Sequence, residues 1–279
     1  MQATEKNTVL KVGLPYYLNT LPLLYHLKPS SKVKLFLWPP KKINEALFSC
    51  ELDAGLASSL FYARNFQNFL ILPDLSISAV GKVKSVILYH KKPLSKLHNK
   101  TIGITPETET SFGLLRIVLE EFYQIYPKYK FFEKPLSERG LNNAKLEGYL
   151  AIGNEALLLQ KKGYFPFFTD LAEIWLEKTQ FPFIFALFIV RKDVADEKKK
   201  LIKGFLKNLY LSRAKGLSFL EDLVSASKLE LDKDFTLNYL KHLEFDFSGL
   251  KQRAFLFFCD LLFKKKIINS IPELNFFSL

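Results

Sequence analysis

Twice along this chain, short apolar runs alternate with segments of helical period, and the alternation stops near residue 195. In the first set "VLKVGL" (9–14), "KVKLFLW" (32–38), "DAGLA" (53–57) and "SVILYH" (85–90) read as strands. Between them, "KINEALFSCEL" (42–52) puts Ile43, Leu47 and Cys50 on one helical face, and "LFYARN" forms a short helix behind Ser58 and Ser59. The second set runs through the strands "KTIGIT" (100–105), "YKFFE" and "YLAIG" (149–153) to the long apolar "FPFIFALFIVRKD" (181–193). Its helices are "ETETSFGLLRIVLEEFY" (107–123) and "NEALLLQKKG", which closes on a C-terminal glycine. Parallel strands cannot be joined by a tight turn, so each needs a crossover, usually a helix. This order therefore implies an α/β architecture of mixed or mostly parallel sheets with helices on their faces.

A chain of 279 residues can fill two lobes with full cores. The second set is bracketed by "SVILYH" and "FIFALFIV", which suggests a two-stranded hinge around an inserted lobe. We expect lobe 1 to comprise residues 1–90 and 188–279, with a C-terminal helical region lacking clear strands, and lobe 2 residues 91–187. A ligand then sits in the cleft between the lobes.

The formal charge of +12 is carried largely by lysine runs such as "EKKKLIKGFLK" and "FKKKIINS". Aromatic residues fall in core-like runs instead of between the basic residues, so the charge reads as a solvated surface and not as a nucleic-acid groove. Its functional content is attraction of a small anion. No apolar run reaches membrane-spanning length, and "MQATEKNTVLKVG" carries no secretory signal. Cys50 and Cys259 lie too far apart in sequence for a disulfide framework, so the expected compartment is the cytoplasm. No phosphate-binding glycine loop or nucleophile elbow is found, and no His/Cys cluster has metal spacing. Glu120 and Glu121 fall in a helix and are expected to face solvent.

Ligands of open α/β sheets collect at the carboxyl ends of strands, beside helix N-termini that favour anions. The residues at those ends are Tyr17, Asn19 and Thr20 after the first strand, and Ser58 and Ser59 after "DAGLA". In the second set they are Thr108, Thr110 and Ser111 at a helix start, and Asn154 after "YLAIG". Each is also a preferred helix cap, and as a single site is more often a cap than a ligand contact. We expect one of Asn19 and Thr20 to cap the helix that begins around Pro22, and the other to project into the cleft. Read this way, the residues reach a two-lobed binder of a small anion and no further.

Several stretches occur in a specific order: "YLNTLPL" (17–23), "ELDAGLASSLFYARN" (51–65), "LPDLSIS" (72–78), "GKVKSVIL" (81–88), "TSFGLL" (110–115), "IGNEALL" (152–158) and "FPFIFALF" (181–188). Together, over about residues 10–192, they resemble the chorismate dehydratase family, while the helical tail fits by length alone. The resemblance implies a two-lobed fold of the type 2 periplasmic-binding-protein kind, without secretion. It implies a hydro-lyase that converts chorismate to 3-[(1-carboxyvinyl)oxy]benzoate and water without a cofactor, the first step of the futalosine route to menaquinone. It carries over Asn19 as the catalytic residue, and Ser58, Ser85, Thr110 and Ser111 as substrate contacts. Ala57 stands where the family usually has proline, and Asn154 where it has an acidic residue.

Because the matching motifs contain no His, Asp or Glu at the cleft, the expected mechanism is substrate-assisted. The enolpyruvyl carboxylate of chorismate takes the ring proton, while Asn19 holds the substrate or hydrogen-bonds the departing hydroxyl. Two other readings share the fold: the sister enzyme that forms 1,4-dihydroxy-6-naphthoate, and a non-catalytic small-anion binder. The expected partner is the small-molecule substrate alone, with no nucleic acid or membrane, and the chain is a monomer or a homodimer.

Overall fold

The computed structural model describes residues 9–28, 30–106, 108–136, 140–141, 144–227 and 231–279. Its strands are β1 (Leu10–Leu14), β2 (Val33–Leu37), β3 (Ala54–Ser58), β4 (Phe69–Ala79), β5 (Val86–His90), β6 (Thr101–Ile104), β7 (Lys128–Phe131), β8 (Gly148–Ile152), β9 (Phe167–Asp170), β10 (Phe183–Arg191) and β11 (Leu243–Glu244). They form a six-stranded sheet of order β11-β4-β10-β3-β1-β2 and a five-stranded sheet of order β7-β6-β8-β5-β9. Both sheets are mixed, one of the two forms (mixed or mostly parallel) expected of this α/β architecture. β1 runs parallel to β2 and β3, but β10 is antiparallel to β3 and to β4. In the other sheet β6 runs parallel to β7 and β8, while β5 is antiparallel to β8 and β9. β10 and β5 each run against their sheet because each arrives from the other sheet and no helical crossover sets its direction; β11, antiparallel to β4, runs with β10.

The bracketing strands also exchange sheets. "SVILYH" pairs within the five-stranded sheet, and β10 pairs within the six-stranded one. Of the two strands hydrogen-bonded to β10, β4 is an eleven-residue element that periodicity does not reveal. Its alternation is broken at Pro73 and Asp74, where Asp74 takes a left-handed φ of 54°, so it resembles two short runs around a turn. The chain crosses between the sheets at residues 80–85 and 180–182.

The first crossing is tightly held. Gly81 and Lys84 both have positive φ, and the buried Asp170 carboxylate accepts the Lys84 N–H at 2.7 Å. The same carboxylate caps the helix Leu171–Thr179 by accepting the Ala172 and Glu173 N–H groups. Burial pushes the Asp170 carboxyl above its usual range even against these donors.

A continuous apolar core runs from the six-stranded sheet through the helix Glu109–Arg116 to one face of the five-stranded sheet, including Leu60, Leu114, Leu150, Trp175 and Phe258. The tail contributes more than helix. β11 pairs with β4, and Phe276 forms a single bridge to Ile71. The helix Lys233–Lys241 reaches the first crossing, with Lys84 bonded to Asn238 and set over the Phe235 ring. Among the described residues, no helix is long and apolar enough to cross a membrane.

Glu120 does not face solvent. The helix continues as a π turn over Ile117–Phe122, which buries Glu120 against Arg116 and Lys265 at 3.0 Å each, and Tyr129 donates to it at 3.0 Å. Desolvation pushes its carboxyl up, but the bonds from Arg116, Lys265 and Tyr129 outweigh burial and hold it below the usual range. A carboxylate depressed in the folded state contributes stability that is full above its unfolded value of about 4.3 and fades as pH falls through the folded one. Wild-type protein should therefore lose more of its urea midpoint between pH 7 and pH ~3.5 than Glu120→Gln does.

Candidate active site

The first strand hands the chain to the cleft through a short, rigid turn. After Pro15, Tyr17 is extended, Leu18–Thr20 form a single 3-10 turn, and the helix Leu21–Leu24 follows with Pro22 in its first turn. The Thr20 hydroxyl is fully buried, 2.7 Å from both the Pro15 and Tyr17 carbonyls, which closes the turn. Neither Asn19 nor Thr20 caps a helix through its side chain. The expected helix cap is therefore not found: Thr20 staples the turn instead, and Asn19 lines the cavity between the lobes. The Asn19 Oδ1 is buried and receives no hydrogen bond from the described residues. An unpaired buried acceptor costs about 1–3 kcal/mol.

That cavity gathers Tyr17, Asn19, Ser58, Ser85, Thr110 and Ser111 from segments far apart in sequence. Thr20, Ser59 and Asn154 do not line it. The Ser59 hydroxyl is buried and donates to the Ile184 carbonyl at 2.8 Å, fixing its helix to β10. Asn154 accepts the Leu18 N–H at 3.2 Å, so it reaches from lobe 2 to hold the turn that carries Asn19. Beside it Gly153 has φ 54°, and a Cβ there would lie 3.0 Å from the Tyr17 ring. Ala57 lies within β3, paired with Leu187 of β10, so its exchange for the family's proline falls in a strand and not in a loop.

Four of the lining hydroxyls differ in how far they are engaged. Ser58 caps the helix Ser59–Asn65 by accepting the Phe61 N–H, and it donates to the Glu109 carboxylate at 2.9 Å. Thr110 accepts the Leu60 N–H at 3.0 Å across the lobes. Ser85 accepts the Tyr239 hydroxyl at 3.2 Å. Ser111, in the first turn of the helix Glu109–Arg116, makes no side-chain hydrogen bond among the described residues. Thr108 precedes that helix without capping it, because its hydroxyl donates to the Thr105 carbonyl. The first N–H groups of the helix therefore stay uncapped by side chains, as an anion site requires.

Among the described residues, Asp, Glu, His, Lys and Arg are all absent from the cavity lining. The nearest charge reached by hydrogen bonds is Glu109, behind Ser58. Asn44 Nδ2 donates to Ser58 Oγ and to Glu109 Oε2, each at 3.0 Å, and Arg64 pairs with Glu109 at 2.6 Å. Asn44, Arg64 and Glu109 do not stand out in the sequence, because an asparagine in a helix and an acid in a helix's first turn carry no local signal of a site. This network separates the cavity from a wide outer groove of about 1050 Å³ flanked by Lys41, Phe48 and Phe131. The cavity is only about 80 Å³. A void of roughly 150 Å³ holds a benzene ring, so a ring ligand requires the lobes to part. Among the described residues, no group of three or more His, Cys, Asp or Glu could hold a metal ion.

Two mixed α/β lobes with neutral donors converging on the junction define a two-lobed, cleft-binding protein. Solved structures agree on the fold. A crystal structure of a protein from Archaeoglobus fulgidus superposes with a TM-score of 0.75 at 16% identity, covering 95% of this chain and all of that one. The periplasmic aliphatic sulphonate binding protein of Escherichia coli gives a TM-score of 0.65 at 16% identity, covering 95% and 90% of the two chains. The chain belongs to the menaquinone biosynthesis family, whose model matches residues 10–264. The chorismate dehydratase of Thermus thermophilus is 30% identical over 265 residues, covering 87% of this chain and 93% of that one.

Proposed function

We propose that this chain is a chorismate dehydratase of menaquinone biosynthesis, a hydro-lyase acting in the cleft between its lobes. The observation that carries the reading is the buried, partnerless Asn19 oxygen in a cavity walled by uncharged groups. Chorismate brings two carboxylates and a ring hydroxyl; helix N–H groups and hydroxyls suit the first, and a free carboxamide suits the second. The proton on the ring carbon bearing the enolpyruvyl ether passes to the enolpyruvyl carboxylate. The neighbouring C–O bond breaks, the ring becomes aromatic, and the hydroxyl leaves as water with the proton that the enolpyruvyl carboxyl had taken up, which returns that group to a carboxylate. Asn19 hydrogen-bonds the departing hydroxyl, Ser85 and Ser111 hold the substrate, and closure excludes solvent. Cys50 and Cys259 are unpaired, which fits a reducing cytoplasm.

Purified protein incubated with chorismate alone should yield the benzoate product, seen as the loss of one water by mass and a new aromatic ultraviolet band. Tight binding without turnover would identify a solute binder, and inertness to chorismate would point to the dihydroxynaphthoate-forming sister activity.

The Ser58–Glu109 bond offers a rival route for the proton, through the serine to the carboxylate. Glu109→Gln separates the two. If Glu109 only latches the lobes, KM should rise about three- to tenfold, as a charged hydrogen bond is weakened to a neutral one, with kcat nearly unchanged. A drop in turnover by about a hundredfold or more would assign Glu109 the base and end the substrate-assisted reading.

A further inference from the structure

Ser85 reaches the cavity from the first crossing, and its hydroxyl is engaged by a side chain from a distant part of the tail. Tyr239, on the helix Lys233–Lys241, is almost completely buried, and its O–H donates to Ser85 Oγ at 3.2 Å. That is the only side-chain hydrogen bond of Tyr239 among the described residues. The Ser85 carbonyl is separately occupied by the Gly153 N–H at 2.8 Å. Several contacts hold the helix in place. Asp232 caps it through the Phe235 N–H at 2.9 Å, and Lys84, next to Ser85, bonds Asn238. Burial also pushes the Tyr239 phenol far above its usual range, so it stays protonated and able to donate.

A serine hydroxyl has one hydrogen to give and two lone pairs to receive. With Tyr239 donating into its oxygen, Ser85 keeps its own hydrogen for another acceptor, and the cavity is the side where a ligand oxygen would stand. We propose that Tyr239 is a positioning residue: it orients the Ser85 hydroxyl as a donor toward an anionic or ether oxygen of the bound substrate. The inference rests on the reading of the cavity as the chorismate site. A purely structural tyrosine would use Ser85 only as a convenient partner for a buried hydroxyl.

The test is a double-mutant cycle on chorismate turnover with Ser85→Ala, Tyr239→Phe and the pair, each checked by thermal unfolding. Thr236→Val is the control for lost packing, because it removes a buried hydroxyl from the same helix, one bonded only to the Asp232 carbonyl. Ser85→Ala should lower kcat/KM by about tenfold or more, and Tyr239→Phe by about three- to tenfold, the worth of one oriented hydrogen bond. Adding Tyr239→Phe to Ser85→Ala should cost nothing further, and Thr236→Val should leave turnover at the wild-type level. The inference is overturned if Tyr239→Phe keeps wild-type kcat/KM, if the two losses multiply, or if Thr236→Val loses as much as Tyr239→Phe. Wild-type turnover in Ser85→Ala would instead remove Ser85 from the substrate contacts, and with it any role for Tyr239.

Discussion

Replacing Asn19 with alanine is expected to lower kcat/KM for chorismate by about a hundredfold while leaving the unfolding midpoint unchanged or slightly raised. The magnitude is that of losing one preorganised hydrogen-bonding group aimed at the reacting atoms. The sign of the stability change follows from the lone Oδ1. It is buried without a partner, so deleting it removes a desolvation cost from the folded protein and no protein hydrogen bond. A residue that weakens the fold yet sits in the cavity is the signature of a position kept for activity. Asn19→Asp sharpens the test. It preserves the shape but places a carboxylate beside a doubly anionic substrate, so its KM should rise more than that of Asn19→Ala. If either variant turned over chorismate at the wild-type rate with unchanged folding, the assignment of Asn19 would fall.

The second large effect is expected far from the cavity, on the helix Lys199–Ser218. This helix packs on the segment Leu21–Leu24 that follows the Asn19 turn, and Gly216 is where the two backbones meet. A Cβ at Gly216 would lie 2.2 Å from the Pro22 carbonyl oxygen and 2.7 Å from its Cα. Both are backbone atoms, so no side-chain rotation relieves the overlap. Gly216→Ala should destabilise the protein by about 1–3 kcal/mol or more, as overpacking does. It should also lower turnover, because the relief available is to push residues 18–24 and Asn19 off their seat. Gly204 provides the comparison within the same helix. Nothing lies within 4 Å of a Cβ there, so Gly204→Ala should raise stability by up to about 1 kcal/mol through helix propensity alone. Opposite signs from the same substitution on one helix, read by urea unfolding, would separate contact from propensity. A Gly216→Ala protein as stable and active as wild type would remove the claim that this contact seats the loop.

The closed cavity has a kinetic consequence. A space of about 80 Å³ cannot receive chorismate without movement of the lobes. The latch of Asn44, Ser58, Glu109 and Arg64 is one of the polar contacts in the way of such movement, together with Thr110 on the Leu60 N–H and Asn154 on the Leu18 N–H. The apolar contacts around Gly113, where Leu60, Leu262 and Phe258 close on the helix, must loosen with it. Substrate access and catalytic closure therefore draw on the same interface.

Much of this protein is legible in its residues. The alternation of apolar runs marks most of the strands. Ser58 as a cap, Gly163 with its left-handed φ and the break at Pro39-Pro40 all hold, because each depends on neighbours within a few positions. The motif order leads to the family, and through that resemblance to Asn19, which the residues alone leave undivided from Thr20. What sequence cannot supply is the partner of each polar group. Ser58, Ser59, Thr110 and Asn154 look alike as hydroxyls and amides at strand ends, yet Ser59 binds a strand carbonyl and Asn154 holds the turn of the other lobe. Glu120 has the pattern of a solvated residue, but a π turn and Lys265 enclose it. β5 and β10 exchange sheets because an apolar run has the same period in either one. Local pattern fixes which backbone forms, since propensity and capping act over a turn or two. Only the packed chain decides which hydroxyl remains free for a ligand, since Asn19, Ser85, Ser111 and Tyr239 meet across separations that no local rule spans.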